Sequence, residues 1–167
     1  MFDNRPLFDM LDMAGVKYEK VEHPDVHTMQ DLEPIEKKLG ARFFRNLFLS
    51  NRQKTQYYLL LIVGDKPFRT AEVSKLLGVA RLSFGSEDIL EQMLGVSPGA
   101  VNPLSLIFDP GHKITLVADR DILKSQRVCM HPGSNSQSVV MQTSDLFDKV
   151  LPRIGVSPVW IDIKGEA

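Results

Sequence analysis

Two adjoining apolar runs constrain this chain more than any other feature. Phe43 to Leu49 reads Phe-Phe-Arg-Asn-Leu-Phe-Leu, and Gln56 to Val63 follows after Asn51-Arg52-Gln53-Lys54-Thr55. Short runs this rich in aliphatic and aromatic residues, joined by a polar stretch, read as buried strands of a hairpin. The first run carries a cation and an amide side by side, Arg45 and Asn46. Neighbours on a strand point to opposite faces, so these two cannot both look into solvent on one face. One of them is expected to enter a crevice or the interior of a curled sheet.

The other elements arrange themselves around that hairpin. Phe8 and Leu11, with Leu7, mark a short helix ending at Gly15; Val16 to Val21 alternates as a strand that His23-Pro24 breaks. Thr28 reads as the N-cap of a helix to Leu39, with Gly40 as its left-handed stop. Pro34 should kink or divide that helix. Thr70 caps a helix to Leu77, Arg81 to Phe84 is a short strand, and Ser86 caps a helix to Leu94. Strands are expected near Leu104–Phe108, Lys113–Ala118, Arg127–Met130 and Ser138–Gln142, with Pro110-Gly111 turning between the first two. A helix from about Ser144 to Ile154 and a closing edge strand at Val159-Trp160-Ile161 complete the chain. Helices interspersed with strands that also follow one another directly predict a mixed α+β fold, its sheet surrounded by helices. At 167 residues the chain fits a single domain, 1–167.

Composition excludes several classes. No apolar stretch approaches the roughly 20 residues that cross a bilayer, so no membrane is expected. The start, Met1-Phe2-Asp3-Asn4-Arg5-Pro6, lacks the basic then apolar pattern of a signal peptide, and a lone Cys129 makes no internal disulfide. The expected location is the cytoplasm. Net charge is −1, but bases gather between Glu36 and Lys54, where Lys37, Lys38, Arg42, Arg45, Arg52 and Lys54 face only Glu36. That surface could hold a few phosphates, and equally suits a solvated helix end and hairpin turn. There is no basic recognition helix, so DNA is not an expected partner.

Phosphate-binding glycine loops, dinucleotide fingerprints, nucleophile elbows and paired Cys-x-x-Cys units are all missing from the sequence. His23 and His27 have Pro24 and Asp25 between them, which argues against a regular helix offering both to a metal; no metal or cofactor is expected. Cys129 and His131 would share a strand face, the cysteine reading as core. Three polar segments remain: Arg45-Asn46 on the apolar strand, the Gly/Pro-rich stretch Gly95-Val96-Ser97-Pro98-Gly99-Ala100-Val101-Asn102-Pro103, and the turn Met130-His131-Pro132-Gly133-Ser134-Asn135. Each of the latter two also reads as an ordinary connection.

Taken in order with Tyr57-Tyr58-Leu59-Leu60 and Arg81-Leu82-Ser83-Phe84, these segments resemble the YbaK-like family of aminoacyl-tRNA editing domains. The nearest branch is the free-standing, prolyl-tRNA-synthetase-associated proteins that hydrolyse alanine from proline tRNA. The resemblance covers nearly the whole chain, to about Leu151. It implies a mixed sheet curled into a barrel-like core, with a pocket for the aminoacylated terminal adenosine. It implies catalytic roles for Arg45, Asn46 and His131, and a pocket from Gly95, Ser97, Pro98, Gly99, Asn102, Pro103 and Thr28. Contacts to the tRNA backbone fall to Arg52, Lys54 and Arg81, and the partners are the 3′ end of aminoacyl-tRNA and prolyl-tRNA synthetase. The family's lysine position holds Arg45 here. Arginine stays charged and cannot act as a general base, so its part would be electrostatic and orienting. A deacylase for seryl-, threonyl- or cysteinyl-tRNA, or a non-catalytic tRNA- or synthetase-binding module, are the alternatives.

Overall fold

The computed structural model describes residues 3–23, 29–97, 100–132 and 137–165. The hairpin forms as the apolar runs dictate. β2 (Arg42–Ser50) pairs antiparallel with β3 (Tyr57–Val63) from Phe44↔Val63 to Ser50↔Tyr57. Its turn is closed by Asn51, whose Oδ1 accepts from the backbone N–H of Thr55 and Gln56.

Around this hairpin lie β1 (Tyr18–Glu22), the edge strand β4 (Ser83–Phe84), β5 (Ile114–Asp119), β6 (Arg127–Met130), β7 (Gln137–Gln142) and β8 (Val159–Ile161). The sheet runs β1-β7-β6-β2-β3-β5-β8, with β4 also on β2. It is mixed, as expected: β2–β6, β3–β5 and β5–β8 are parallel, the other pairs antiparallel.

One apolar cluster occupies the inner face of the whole sheet. It takes Val139 and Met141 from β7, Val128 and Met130 from β6, and Phe44 and Phe48 from β2. Leu59 and Leu61 of β3 and Leu116 and Ala118 of β5 join it, with Tyr18 and Trp160 at the two ends. A single core shared by successive strands requires the sheet to curl around it. Helices α1 (Arg5–Met13) and α4 (Glu87–Leu94) close that core with Leu7, Leu11, Leu90 and Leu94. On the outer face, α3 (Thr70–Leu77) packs Val73 against Leu49, Leu60 and Ile62, while α2 (Met29–Leu39) packs Leu32 against Phe43, Cys129 and Val140. Burial pushes the Cys129 thiol up to about 12, in keeping with a core residue.

Several expectations are corrected. Leu104–Phe108 is no strand: Pro103–Phe108 forms a 3-10 helix. Asn102 starts it, its Oδ1 accepting from Leu104 N–H at 2.8 Å while Ser105 Oγ accepts from Asn102 N–H at 3.2 Å. This capping box, with proline at the first helical position, outweighs the strand-like apolar run. Pro110-Gly111 therefore connects a helix to β5, where Asp109 accepts from the N–H groups of Lys113 and Ile114. Arg69, not Thr70, is the cap of α3, and Thr70 already lies in the helix. Helix α2 continues through Pro34 undivided. Proline in a helix interior costs about 3 kcal/mol, which the packing of Leu32, Ile35 and Leu39 offsets here. The last helix runs from Thr143 to Arg153 with a π-helical turn at Leu146–Val150. Ser86 does cap α4, accepting from Ile89 N–H at 3.1 Å, and Gly95 ends it at φ +72°.

Candidate active site at a split in the sheet

β2 shares one edge between two partners. β6 pairs with it at Arg42 and Phe43, and β4 at Leu49 and Ser50. Between these ladders no strand among the described residues pairs with that edge. The split falls at Arg45 and Asn46. Alternate backbone N–H and C=O groups of a strand point along the sheet, so this stretch directs peptide groups into the opening.

Asn46 and Arg45 leave the strand on opposite sides. Asn46 shares the inner side with Phe44 and Phe48; its Nδ2 donates to Phe44 O at 3.4 Å and its buried Oδ1 has no partner among the described residues. Arg45 shares the outer side with Phe43 and Leu47 and stands opposite Ile62. Its Nη2 donates to the backbone carbonyl of Lys66, and its buried Nε has no partner among the described residues. Burial pulls the guanidinium pKa below its ordinary value, with the Asp65 carboxylate opposing. The polar residue that enters the interior is thus Asn46. Arg45 is tied to the β3–α3 turn, which Lys66 itself fixes through Asp119 at 2.8 Å, Asp121 at 2.7 Å and Ile163 O at 2.7 Å.

His131 stands one residue past β6, at the rim of the split. Its ring packs against Phe43 with centroids 5.0 Å apart, and Nδ1 lies 3.2 Å from Gln137 O. Burial lowers its pKa, the nearby His23 adds to that, and the bond to Gln137 opposes it. Two side-chain amides hold the chain here: Asn102 Nδ2 donates to His131 O, and Asn4 Nδ2 to Pro132 O at 3.2 Å. Asn102 therefore both starts the 3-10 helix and clamps the Gly/Pro-rich stretch to His131. From the sequence Asn102 is expected only in the pocket, and Asn4 carries no functional signal beyond its place before a helix, which marks it as a cap candidate.

The rest of the predicted pocket divides. Gly95 and Ser97 are exposed, with Ser97 O accepting from Ala100 N–H at 3.0 Å, while Pro103 is buried. Val96 and Val101 anchor the stretch in the inner core. Thr28, Pro98 and Gly99 lie outside the described residues, as does His27. Arg52, Lys54 and Arg81 are exposed together, since the antiparallel pairing Ser50↔Ser83 brings Arg81 alongside the hairpin turn. They sit at the far end of β2, roughly 23 Å along the strand from Phe43 at about 3.3 Å per residue, and do not line the split. A separate groove of about 790 Å³ between α2 and the 125–127 segment carries both signs of charge, Glu33, Glu36 and Asp65 against Lys37, Arg42 and Arg127.

A curled mixed sheet, opened beside a histidine and closed by a clamped Gly/Pro-rich loop, places the molecule among the tRNA-editing-domain folds. The pattern of the aminoacyl-tRNA editing domain matches residues 23–149, and the chain belongs to that family. It is 31% identical to the prolyl-tRNA editing protein ProX of Acetoanaerobium sticklandii over 136 residues, covering 81% of this chain and 83% of that one. Against prolyl-tRNA synthetase associated domain-containing protein 1 of Mus musculus the identity is 30% over 141 residues, with 82% and 83% covered. A solved structure described as a candidate trans-editing enzyme for prolyl tRNA synthetase superposes with a TM-score of 0.67 at 17% identity, covering 96% of each chain. The family acts on aminoacylated tRNA.

Proposed function

We propose that this chain is a trans-editing deacylase that hydrolyses the ester of mischarged tRNA, most specifically alanine on proline tRNA. The observation that carries this is the split at Arg45–Asn46, with His131 held on its rim by the Asn102 clamp. An aminoacyl ester needs little activation beyond a positioned water and stabilised charge on the oxyanion. Peptide N–H groups at an unpaired strand edge can supply that stabilisation without reorganising. Removing one such donor typically costs about 3–4 kcal/mol in the barrier. Selectivity follows from size: a synthetase pocket built for proline rejects smaller alanine by only about 1–3 kcal/mol per missing methylene, and a smaller second site corrects the error.

In this reading the duplex arm of the tRNA crosses Arg52, Lys54 and Arg81, while its terminal nucleotide reaches the split. Prolyl-tRNA synthetase is the expected partner, and the cytoplasm the expected location. Arg45 contributes positive potential and holds β2 against the Lys66 turn. Its engagement with the Lys66 carbonyl also favours a second reading, a non-catalytic tRNA-binding paralogue.

Deacylation of alanyl-tRNA(Pro) by Arg45 variants tests the proposal. Arg45→Lys is expected to stay within about tenfold of the parent, and Arg45→Ala to lose on the order of 100-fold. An unchanged rate in Arg45→Ala would transfer all stabilisation to the backbone. A parent that binds tRNA without turnover would establish the second reading.

A further inference from the structure

Three neighbouring strands bring His131 together with two residues, Ser138 and His23, that the editing reaction as proposed does not use. β7 lies between β1 and β6, with Val21↔Ser138 on one side and Met130↔Val139 on the other. His23 follows β1, His131 follows β6, and the fully buried Ser138 sits between them on the outer face. Ser138 Oγ lies 2.6 Å from His23 Nε2 and 3.4 Å from His131 Nδ1.

The partners decide where the protons are. Gln137 O is only an acceptor, so His131 Nδ1, 3.2 Å away, must carry a hydrogen. Ser138 Oγ then faces an N–H on that side, which leaves its own hydrogen free to turn toward His23 Nε2. A neutral imidazole with hydrogen on Nδ1 has none on Nε2. Burial keeps the His131 ring in its neutral form.

We propose that Ser138 and His23 are positioning residues that act with Gln137 O to fix His131 in its Nδ1-protonated tautomer, leaving Nε2 as the proton-accepting nitrogen of the site. The catalytic role rests on the deacylase reading above; the tautomer does not. In the reaction, water adds to the ester carbonyl carbon as Nε2 takes one of its protons. Collapse of the tetrahedral adduct breaks the bond to the ribose oxygen, which receives that proton back from Nε2. The newly formed carboxylic acid releases its proton to solvent, and the ring returns neutral.

Side-chain ¹⁵N NMR of the free protein at neutral pH reads the tautomer without substrate. His131 is expected to show a protonated Nδ1 and an unprotonated Nε2; the reverse assignment overturns the proposal. Ser138→Ala, which leaves His131 Nδ1 its 3.2 Å bond to Gln137 O, should raise the share of the other tautomer and lower kcat for alanyl-tRNA(Pro) by about threefold with KM unchanged. Ser138→Thr, which keeps the hydroxyl, and His23→Gln, which keeps an acceptor, should restore both signals. A pure tautomer and undiminished kcat in Ser138→Ala would remove Ser138 and His23 from any positioning role. If the parent hydrolyses no aminoacyl-tRNA, the deacylase reading fails, while the NMR assignment still decides the tautomer.

Discussion

Replacing His131 with alanine is expected to reduce deacylation of alanyl-tRNA(Pro) by a factor of about 10²–10⁴, the range that a positioned acid–base group contributes. The ring is neutral because burial disfavours the imidazolium, so its pKa lies below the ordinary histidine value. In the proposed reaction the unprotonated form is the one that accepts the proton from water. Parent kcat/KM should therefore hold as pH falls past that ordinary value, and decline only below it. Folding carries the same sign: the unfolded chain takes up this proton first, so stability falls as pH drops from about 6.5 toward the folded-state value. The alanine variant should retain most of the fold, since Asn102 bonds the main-chain carbonyl of residue 131 rather than its ring. A His131→Ala protein that hydrolyses at the parent rate would place proton transfer on water or on a ribose hydroxyl of the substrate.

The largest expected loss of stability comes from Asp119→Ala. This carboxylate is fully buried and receives Lys66 Nζ at 2.8 Å, together with the backbone N–H groups of Asp121 at 3.2 Å and Val63 at 3.4 Å. Burial alone would lower the Lys66 pKa, but its bonds to Asp119 and Asp121 outweigh that and raise it. Removing Asp119 leaves the ammonium with the more exposed Asp121 carboxylate and the Ile163 carbonyl, without its buried counter-charge. Breaking a buried pair from one side typically costs about 3–5 kcal/mol, a fall in melting temperature of roughly 10 °C for a chain this size. The double change Asp119→Leu with Lys66→Met should recover much of it, because neither charge is then stranded. Thermal unfolding of the two variants checks both statements. A single variant within about 1 kcal/mol of the parent would mean that water already screens the pair. The same turn holds the Arg45 guanidinium, so the loss should reach the active site as well as the core.

Much of this was legible from the chain because local chemistry and tertiary packing agree. The Phe43–Leu49 and Gln56–Val63 runs could only be buried strands, and Ser86 and Gly95 bound α4 as their types require. Failures arose where one residue's side chain overruled a pattern. Asn102 turned an apolar run into a 3-10 helix by accepting from Leu104 N–H, and apolar packing of α2 overrode Pro34. At the site, alternation correctly separated Arg45 from Asn46 but could not say which faced inward. That depends on which neighbours fill the curl of the sheet. His131 was visible from its segment, yet its partners Ser138 and His23, and Asn4 on the neighbouring Pro132 carbonyl, were not. They meet it only through the strand order β1-β7-β6 and the seating of α1, which no local spacing encodes.

Single-turnover hydrolysis of proline tRNA charged with alanine, against the same tRNA charged with proline, decides whether this chain edits as proposed. A deacylase with a pocket sized for alanine is expected to release alanine at least about tenfold faster than proline, whose ring such a pocket would exclude. Equal release, or release of neither above the rate of the ester in buffer, would contradict the proposal.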